Sequence, residues 1–399
     1  MIELALRPGP ALGPPSRGYS DHVRVHGPLP TIDARLVETL EQSHLLGRGG
    51  AAFPVGAKWK AVLSQKQTPV ILANGAEGEP LSDKDRFLVE TRPHLLIDGA
   101  LAAGWALGAG RVVFYLDGRS IPSFRRALDE RTDASGFAVS IVRAPHRFIA
   151  GEETAAIHCV NDNLALPLTK PPRPYQRGVA GQPTLVQNVE SLAYAGLIAR
   201  YGAEWFRNLG AGESPGSLLI TLSGAVHTPG VTEVPAGTSV GEVIDGMGGY
   251  PGHPSAILLG GYFGGWIDAR LARDLPLDPI SLRARGVALG CGVIHVLPEG
   301  ACGVAETAKV IEYLASESAR QCGPCVFGLR ALADVMTALA SGEAGSEDLG
   351  LIQRWSGDIR GRGACAHPDG AASFLQSALH TFPDAFRVHQ ARLRCATCS

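Results

Sequence analysis

The chain has 399 residues, 45% of them hydrophobic and 19% charged, with a formal net charge of −2. That length holds two or three domains with ample core, and the near balance of charge excludes general attraction to nucleic acid or to an anionic membrane surface. Residues 1–30, rich in Pro and polar side chains, lack a basic segment followed by an apolar one, and the longest apolar stretch, 99–110, is too short to span a bilayer. A cytoplasmic protein with no membrane span is expected, at most peripheral to a membrane complex, with a small molecule or another protein as partner.

In chain order, residues 31–43 place Ile32, Leu36 and Leu40 on one helical face. That helix delivers the chain to Leu46-Gly47-Arg48-Gly49-Gly50-Ala51-Ala52-Phe53-Pro54-Val55-Gly56-Ala57-Lys58-Trp59. Its glycines let backbone approach a ligand, Arg48 and Lys58 suit an anion, and Phe53 and Trp59 offer an aromatic wall. The apolar run Pro69-Val70-Ile71-Leu72-Ala73 reads as a short buried strand, so Asn74-Gly75-Ala76-Glu77-Gly78-Glu79-Pro80 falls at a strand's carboxyl end. In open α/β sheets ligands bind there. A small-residue helix from Pro93 to Gly108, a strand at 111–116, a charged helix at 123–131 and a strand at 138–142 continue the alternation of an α/β layer fold.

Gly151-Glu152-Glu153-Thr154 puts two carboxylates at the start of a further helix, where they either offset the helix dipole or meet a ligand. Gln187-Asn188 is likewise either a ligand-binding pair or a turn or helix cap. From 216 the texture changes: strands at 217–224, 229–235 and 256–261 flank a short helix at 240–247, and from Ala305 helical spacing of Ala308, Ile311, Leu314, Leu329, Leu332, Val335 and Leu339 predicts a bundle. Five of the eight cysteines lie between 322 and 398, in Cys322-Gly323-Pro324-Cys325, Cys365 and the terminal Cys395-Ala396-Thr397-Cys398. That concentration asks for metal or redox chemistry, whereas Cys159, Cys291 and Cys302 read as buried structural residues.

The glycine-rich loop, the Asn74–Pro80 cluster, Gly151-Glu152-Glu153-Thr154, Lys170-Pro171-Pro172, Pro183 to Glu190 and the cysteines near 322, taken in order, resemble the flavin-bearing subunit of respiratory NADH dehydrogenase and its relatives in NAD-linked hydrogenases and formate dehydrogenases. The resemblance implies FMN, NADH as hydride donor, and an iron–sulfur cluster that passes single electrons to a partner such as a ferredoxin-like protein or a membrane reductase subunit. It implies that Gly47, Arg48, Gly49, Gly50 and Lys58 hold the flavin phosphate, with Asn74, Glu77, Gln187 and Asn188 around flavin and ribityl. Phe53, Glu79, Gly151, Glu152, Glu153 and Lys170 would face the dinucleotide, Glu77 and Glu152 would be the catalytic carboxylates, and Glu153 would disfavour a ribose 2′-phosphate. The implied domains are an extension at 1–30, a Rossmann-like FMN domain at 31–215, a ubiquitin-like β-grasp domain at 216–285, a helical iron–sulfur domain at 286–388 and the Cys-x-x-Cys tail at 389–399.

The departures matter too. Lys60-Ala61 and Arg173 stand where the family has two phenylalanines, Ala76 replaces an aspartate near the flavin, and Ala319 replaces the first cluster cysteine, leaving Cys322, Cys325 and Cys365 as metal ligands. Three readings follow for that site: a 4Fe-4S or 3Fe-4S cluster with a substitute ligand such as a tail cysteine, His367 or a carboxylate; zinc; or no metal. For the whole chain the alternatives are a flavoprotein with a donor other than NADH, a non-catalytic docking protein, and a small-ligand binder centred on the β-grasp domain.

Overall fold

The computed structural model describes residues 11–211, 214–343, 345 and 347–391. The chain divides into two compact units, Met1–Thr221 with Gly230–Thr238, and Leu222–Pro229 with Ser239–Ser399.

In the first unit α1 (Tyr19–His26), α2 (Arg35–Ser43) and α3 (Val55–Leu63) lead into β1 (Val70–Gly75). There follow α4 (Lys84–Thr91), α5 (Pro93–Leu107), β2 (Arg111–Asp117), α6 (Ile121–Asp129), β3 (Ala138–Ala144), α7 (Glu153–Asp162), β4 (Thr184–Asn188) and α8 (Val189–Arg207). The four strands form one parallel sheet in the order β3-β2-β1-β4, with Asn74 opposite Tyr115 on one side and Asn188 on the other. Continuous apolar runs suit strands covered on both faces. Alternate residues divide accordingly: Ile71, Ala73, Val112 and Phe114 enter a core with α2, α3, α5 and α8, while Val70, Leu72, Val113 and Tyr115 enter a second core with Ala156 and Ile157 of α7. Truncating a fully buried Leu72 to Ala would cost roughly 2–5 kcal/mol.

Small residues on α5 have a packing cause. A Cβ at Gly99 would stand 1.8 Å from the Leu192 carbonyl oxygen of α8, so only glycine allows this approach. Asp98 beside it is fully buried and receives His22 Nε2 at 2.6 Å, Arg131 at 2.7 Å and Arg200 at 2.5 Å. This network seats α1, a polar helix within the expected extension. Burial opposes the ionisation of Asp98, but its three partners outweigh that effect and hold the carboxyl down to about 2.

β5 (Ser217–Gly224) begins in the first unit, beside β6 (Gly230–Pro235). The second unit adds α9 (Val240–Gly246), β7 (Ala256–Leu259), β8 (Gly265–Asp268), α10 (Ala269–Arg273), α11 (Pro279–Ala284) and β9 (Val293–Val296). β7 pairs antiparallel with both neighbours, Leu258 lying opposite Trp266 of β8 and His295 of β9. Helices α12 (Gly303–Ser316), α13 (Arg330–Ser341), α14 (Asp348–Ile359), α15 (His367–Thr381) and α16 (Pro383–Gln390) complete it, with a π-helical stretch, Pro324–Leu329, running directly into α13. Strands and bundle are joined where Trp266 N–H donates to Ser377 Oγ at 2.9 Å and Thr381 Oγ1 donates to the Trp266 carbonyl at 2.8 Å. Among the described residues only Pro324–Ser341 is long and apolar enough to cross a membrane. Its Leu329, Leu332, Ala333, Met336 and Leu339 are all buried, as in the core helix of a bundle.

Candidate functional site

The chain passes from β1 to β2 and β3 on one side of the first sheet and returns to place β4 on the other, so the order reverses between β1 and β4. The crevice outside the carboxyl ends of these strands is where doubly wound folds take ligands. Asn74 and Asn188 meet there in register, with Asn188 Nδ2 donating to Asp85 Oδ2 at 2.7 Å and Asn188 Oδ1 capping α8 by accepting from Glu190 N–H at 3.0 Å. This asparagine therefore caps a helix and also stands at the crevice. Asn74 Nδ2 reaches the Gly151 carbonyl at 3.0 Å, tying the segment before α7 to the same place. Gln187 is buried, yet its Oε1 has no hydrogen-bond partner, which marks a built site for a donor.

The glycine-rich loop is closed at its base. Gly47 N–H donates to the Phe53 carbonyl at 2.9 Å and Val55 N–H to the Leu45 carbonyl at 2.9 Å, leaving 48–52 as the tip. Gly49 lies against Asn188, where an added Cβ would meet the Asn188 Cβ at 3.3 Å, so loop and strand end share the crevice. Gly50 adopts a left-handed conformation. Phe53 is 56% exposed and offers a stacking face, whereas Trp59 is wholly buried in the core and is no part of the expected aromatic wall. The Arg48 guanidinium also turns inward, donating to the Ser217 carbonyl at 2.9 Å and lying 3.9 Å from Glu190, so this side chain braces the loop from behind. Of the expected cations at the loop, Lys58 stays partly open.

After β1, Glu77 takes a left-handed backbone conformation and folds its carboxylate back into its own loop. Oε1 accepts from Ser82 Oγ at 2.6 Å and Asp85 N–H at 3.1 Å, and Oε2 accepts from Arg86 N–H at 2.5 Å. Burial, reinforced by the nearby Asp85 charge, pushes the Glu77 carboxyl up to about 7. Glu79 Oε1 accepts from Leu81 N–H at 3.3 Å. A Cβ on Gly78 would lie 2.7 Å from the Phe148 carbonyl oxygen, which requires glycine there for backbone contact with the segment before α7. Sequence reasoning missed the charges beneath this loop: buried Lys84 bridges Asp85 at 2.6 Å and Glu190 at 2.9 Å. Their identities were visible at 84, 85 and 190, but nothing local signals that they meet.

Glu152 caps α7, its Oε2 accepting from Thr154 N–H at 2.7 Å and Ala155 N–H at 3.0 Å, while Oε1 accepts from Lys170 Nζ at 2.9 Å. Glu153 stands between two cations, Lys170 at 3.1 Å and Lys58 at 3.4 Å. Burial opposes its ionisation, but Lys58 and Lys170 together hold the carboxyl below the usual glutamate range. The structure thus joins Lys58 of α3 to Lys170 and Glu153, and the helix-cap reading belongs to Glu152. Ala61 and Arg173 present no aromatic surface, and Arg173 is exposed.

In the second unit Cys322, Cys325 and Cys365 come together. Burial first, then the adjacent Cys322 and Cys365 sulfurs, push the Cys325 thiol up to about 12, against the Arg320 N–H that hydrogen-bonds it. Metal binding would release that proton. Among the described residues no three His, Cys, Asp or Glu side chains are grouped to hold a single ion. His367 Nε2 donates to the Leu314 carbonyl at 2.7 Å, which fixes the ring and is the outer contact that a ligating imidazole makes through its non-ligating nitrogen. A cluster, by contrast, spreads its thiolates over several irons. Cys302 and Cys159 are buried as expected, and Cys291 is half-buried, a departure from the buried reading. Cys395 and Cys398 lie outside the described residues.

A parallel sheet with a glycine-rich loop and amide side chains at its switch point, joined in one chain to a three-cysteine helical unit, defines a nucleotide-binding redox protein. The Nuo51 FMN-binding domain matches residues 40–195, and the NADH-ubiquinone oxidoreductase-F iron–sulfur binding region matches residues 305–389. The chain is 34% identical over 377 residues to the second F subunit of the NADH-quinone oxidoreductase of Rhizobium meliloti, covering 90% of each chain. It is 30% identical to HndC, a subunit of the NADP-reducing hydrogenase of Solidesulfovibrio fructosivorans, covering 95% of this chain and 80% of that one. The crystal structure of NAD+-reducing [NiFe]-hydrogenase in the air-oxidized state superposes with a TM-score of 0.83 at 27% identity over 90% of this chain, which spans 62% of that longer chain. The chain belongs to the family of the NADH-quinone oxidoreductase F subunits.

Proposed function

We propose that the protein is an FMN-dependent subunit that oxidises NADH and passes electrons through an iron–sulfur cluster to a partner protein. The observation that carries this reading is the crevice at the β1–β4 switch point, where Asn74, Asn188 and buried, unpartnered Gln187 Oε1 stand beside the closed glycine-rich loop. FMN, when bound, accepts two electrons as hydride and releases them singly.

The chain's own groups do the rest. Gly47, Gly49 and Gly50 let backbone amides near the phosphate, with Lys58 as the nearby cation, and Arg48 stiffens the loop from within. Asn74, Gln187 and Asn188 orient the flavin, and Glu77 holds a proton beside it near neutral pH. Phe53 stacks on the dinucleotide and Glu79 lines the same loop, while Glu153, fixed by Lys58 and Lys170, repels a 2′-phosphate. Gly151 presents its carbonyl to Asn74, and Glu152 fixes the start of α7. Cys322, Cys325 and Cys365 ligate the cluster. Residues 216–285 are proposed as a β-grasp docking module, supported by a capped helix, α9, between β6 and the antiparallel β7–β8 pair. A cytoplasmic setting within a larger complex belongs to the same proposal, since the relatives are named as subunits of larger enzymes.

Anaerobic titration of the purified chain with NADH, then NADPH, tests the reading, with flavin and iron assayed on the same sample. Bleaching of a flavin spectrum by NADH is expected. A bound flavin that neither nucleotide reduces would overturn NADH as donor.

A further inference from the structure

A four-iron cluster takes four thiolates, and here the described residues bring three together. Cys322 and Cys325 are three residues apart, and one more step of that spacing backwards is Ala319, a methyl group with nothing to offer iron. The other described cysteines are committed elsewhere. Cys302 Sγ caps α12, receiving Ala305 N–H at 3.4 Å, and meets His389 Nε2 at 3.4 Å. Cys291 Sγ donates to the Gly260 carbonyl at 3.7 Å, and Cys159 belongs to the first unit, against Tyr115. Beside Ala319, Ser318 is only 3% exposed, and its Oγ is buried with no hydrogen-bond partner. An orphaned hydroxyl in a core is costly unless something arrives to satisfy it.

We infer that the cluster corner facing residue 319 is free of cysteine thiolate and holds an exchangeable iron. This rests on the electron-transfer reading above. Three corners are anchored by charged sulfur and stay when the fourth iron leaves. Release is oxidative and balanced: [4Fe–4S]2+ gives [3Fe–4S]+, one Fe2+ and one electron, taken up by a one-electron oxidant such as ferricyanide. Ferrous iron with a reductant reverses it. The chain is thus built for a cluster that answers to oxidant and to free iron, and Ala319 is the residue that makes it so.

The test uses the full chain, reconstituted anaerobically with iron and sulfide, alongside Ala319→Cys and the Cys395→Ser/Cys398→Ser double variant. Each is treated with one equivalent of ferricyanide, desalted, assayed for iron and examined by low-temperature EPR. Wild type and the tail double variant should each lose one of four irons and give the signal of an oxidised three-iron cluster. Ala319→Cys should keep all four and stay EPR-silent. The inference fails if wild type keeps its fourth iron, if only the tail variant loses one, or if wild type takes up no cluster. FMN content and bleaching by NADH, read on the same samples, report separately on the function and on folding of the variants, so their loss would indict that reading instead.

Discussion

Replacing Glu77 with Gln should abolish a pH dependence of stability that the wild-type chain carries. The carboxyl stands near 7 in the folded protein against 4.5 for an ordinary glutamate, because burial and Asp85 disfavour its charge. Between those values the native state binds more protons than the unfolded one, so the stabilisation is fully present below 4.5 and is lost as pH rises through 7. At 1.36 kcal/mol per unit the whole effect is about 3 kcal/mol. Glutamine imitates the uncharged acid: Ser82 Oγ can accept from its amide while the amide oxygen keeps Arg86 N–H, and the bond lost from Asp85 N–H is a pH-independent offset that the slope does not read. Urea unfolding of FMN-free wild type and variant at half-unit steps from pH 4.5 to 8 gives the difference directly, other titrations cancelling. The variant should gain on wild type by about 1 kcal/mol per pH unit through the window and level off above it. Parallel curves across the range would refute the argument that Glu77 holds a proton in this loop.

Asp98→Asn should destabilise the first unit by about 3–5 kcal/mol, since it leaves the buried Arg200 side chain without an anion and Arg131 with Asp133 alone; denaturant titration measures this, and a loss below 1 kcal/mol would show the network to be slack. Gly78→Ala forces a Cβ against the Phe148 carbonyl, and we expect FMN affinity to fall at least tenfold, about 1.4 kcal/mol, by fluorescence titration. Glu153→Gln removes one negative charge between Lys58 and Lys170 and should improve kcat/KM for NADPH relative to NADH roughly tenfold, the scale of a partly screened charge contact; an unchanged ratio would remove this residue from nucleotide selection.

The α/β layering could be read from the sequence because β1 and β2 are short apolar runs bounded by polar turns and alternate with helical stretches. For the same reason the placement of Asn74 at a carboxyl end was legible, whereas β4 escaped, since Thr184 and Gln187 leave only Leu185 and Val186 as an apolar run before Asn188. What could not be read was orientation over distance. Arg48 sits in a loop that looks made for anions, and only the fold reveals that the Ser217 carbonyl and Glu190 claim its side chain. The bridge from Lys84 to Glu190 and the four-way contact at Asp98 join segments far apart in the chain and leave no local periodicity. Helix α1 escaped for a related reason, since its buried positions are His22 and His26. Trp59 illustrates the opposite failure: a helical aromatic three residues beyond Gly56 was assigned to a ligand wall when burial claimed it.

The adjacency of β1 and β4 has a consequence for how this protein is made. Asn74 and Asn188, neighbours in the crevice, are 114 positions apart in the chain. Until β4 is synthesised, β1 has β2 on one side and an open edge on the other. An exposed edge of Val70, Ile71 and Leu72 invites pairing with another nascent chain. One event, the arrival of β4, therefore closes the vulnerable edge and completes the cradle, so a chain stalled before residue 184 is both unable to hold its cofactor and prone to aggregate.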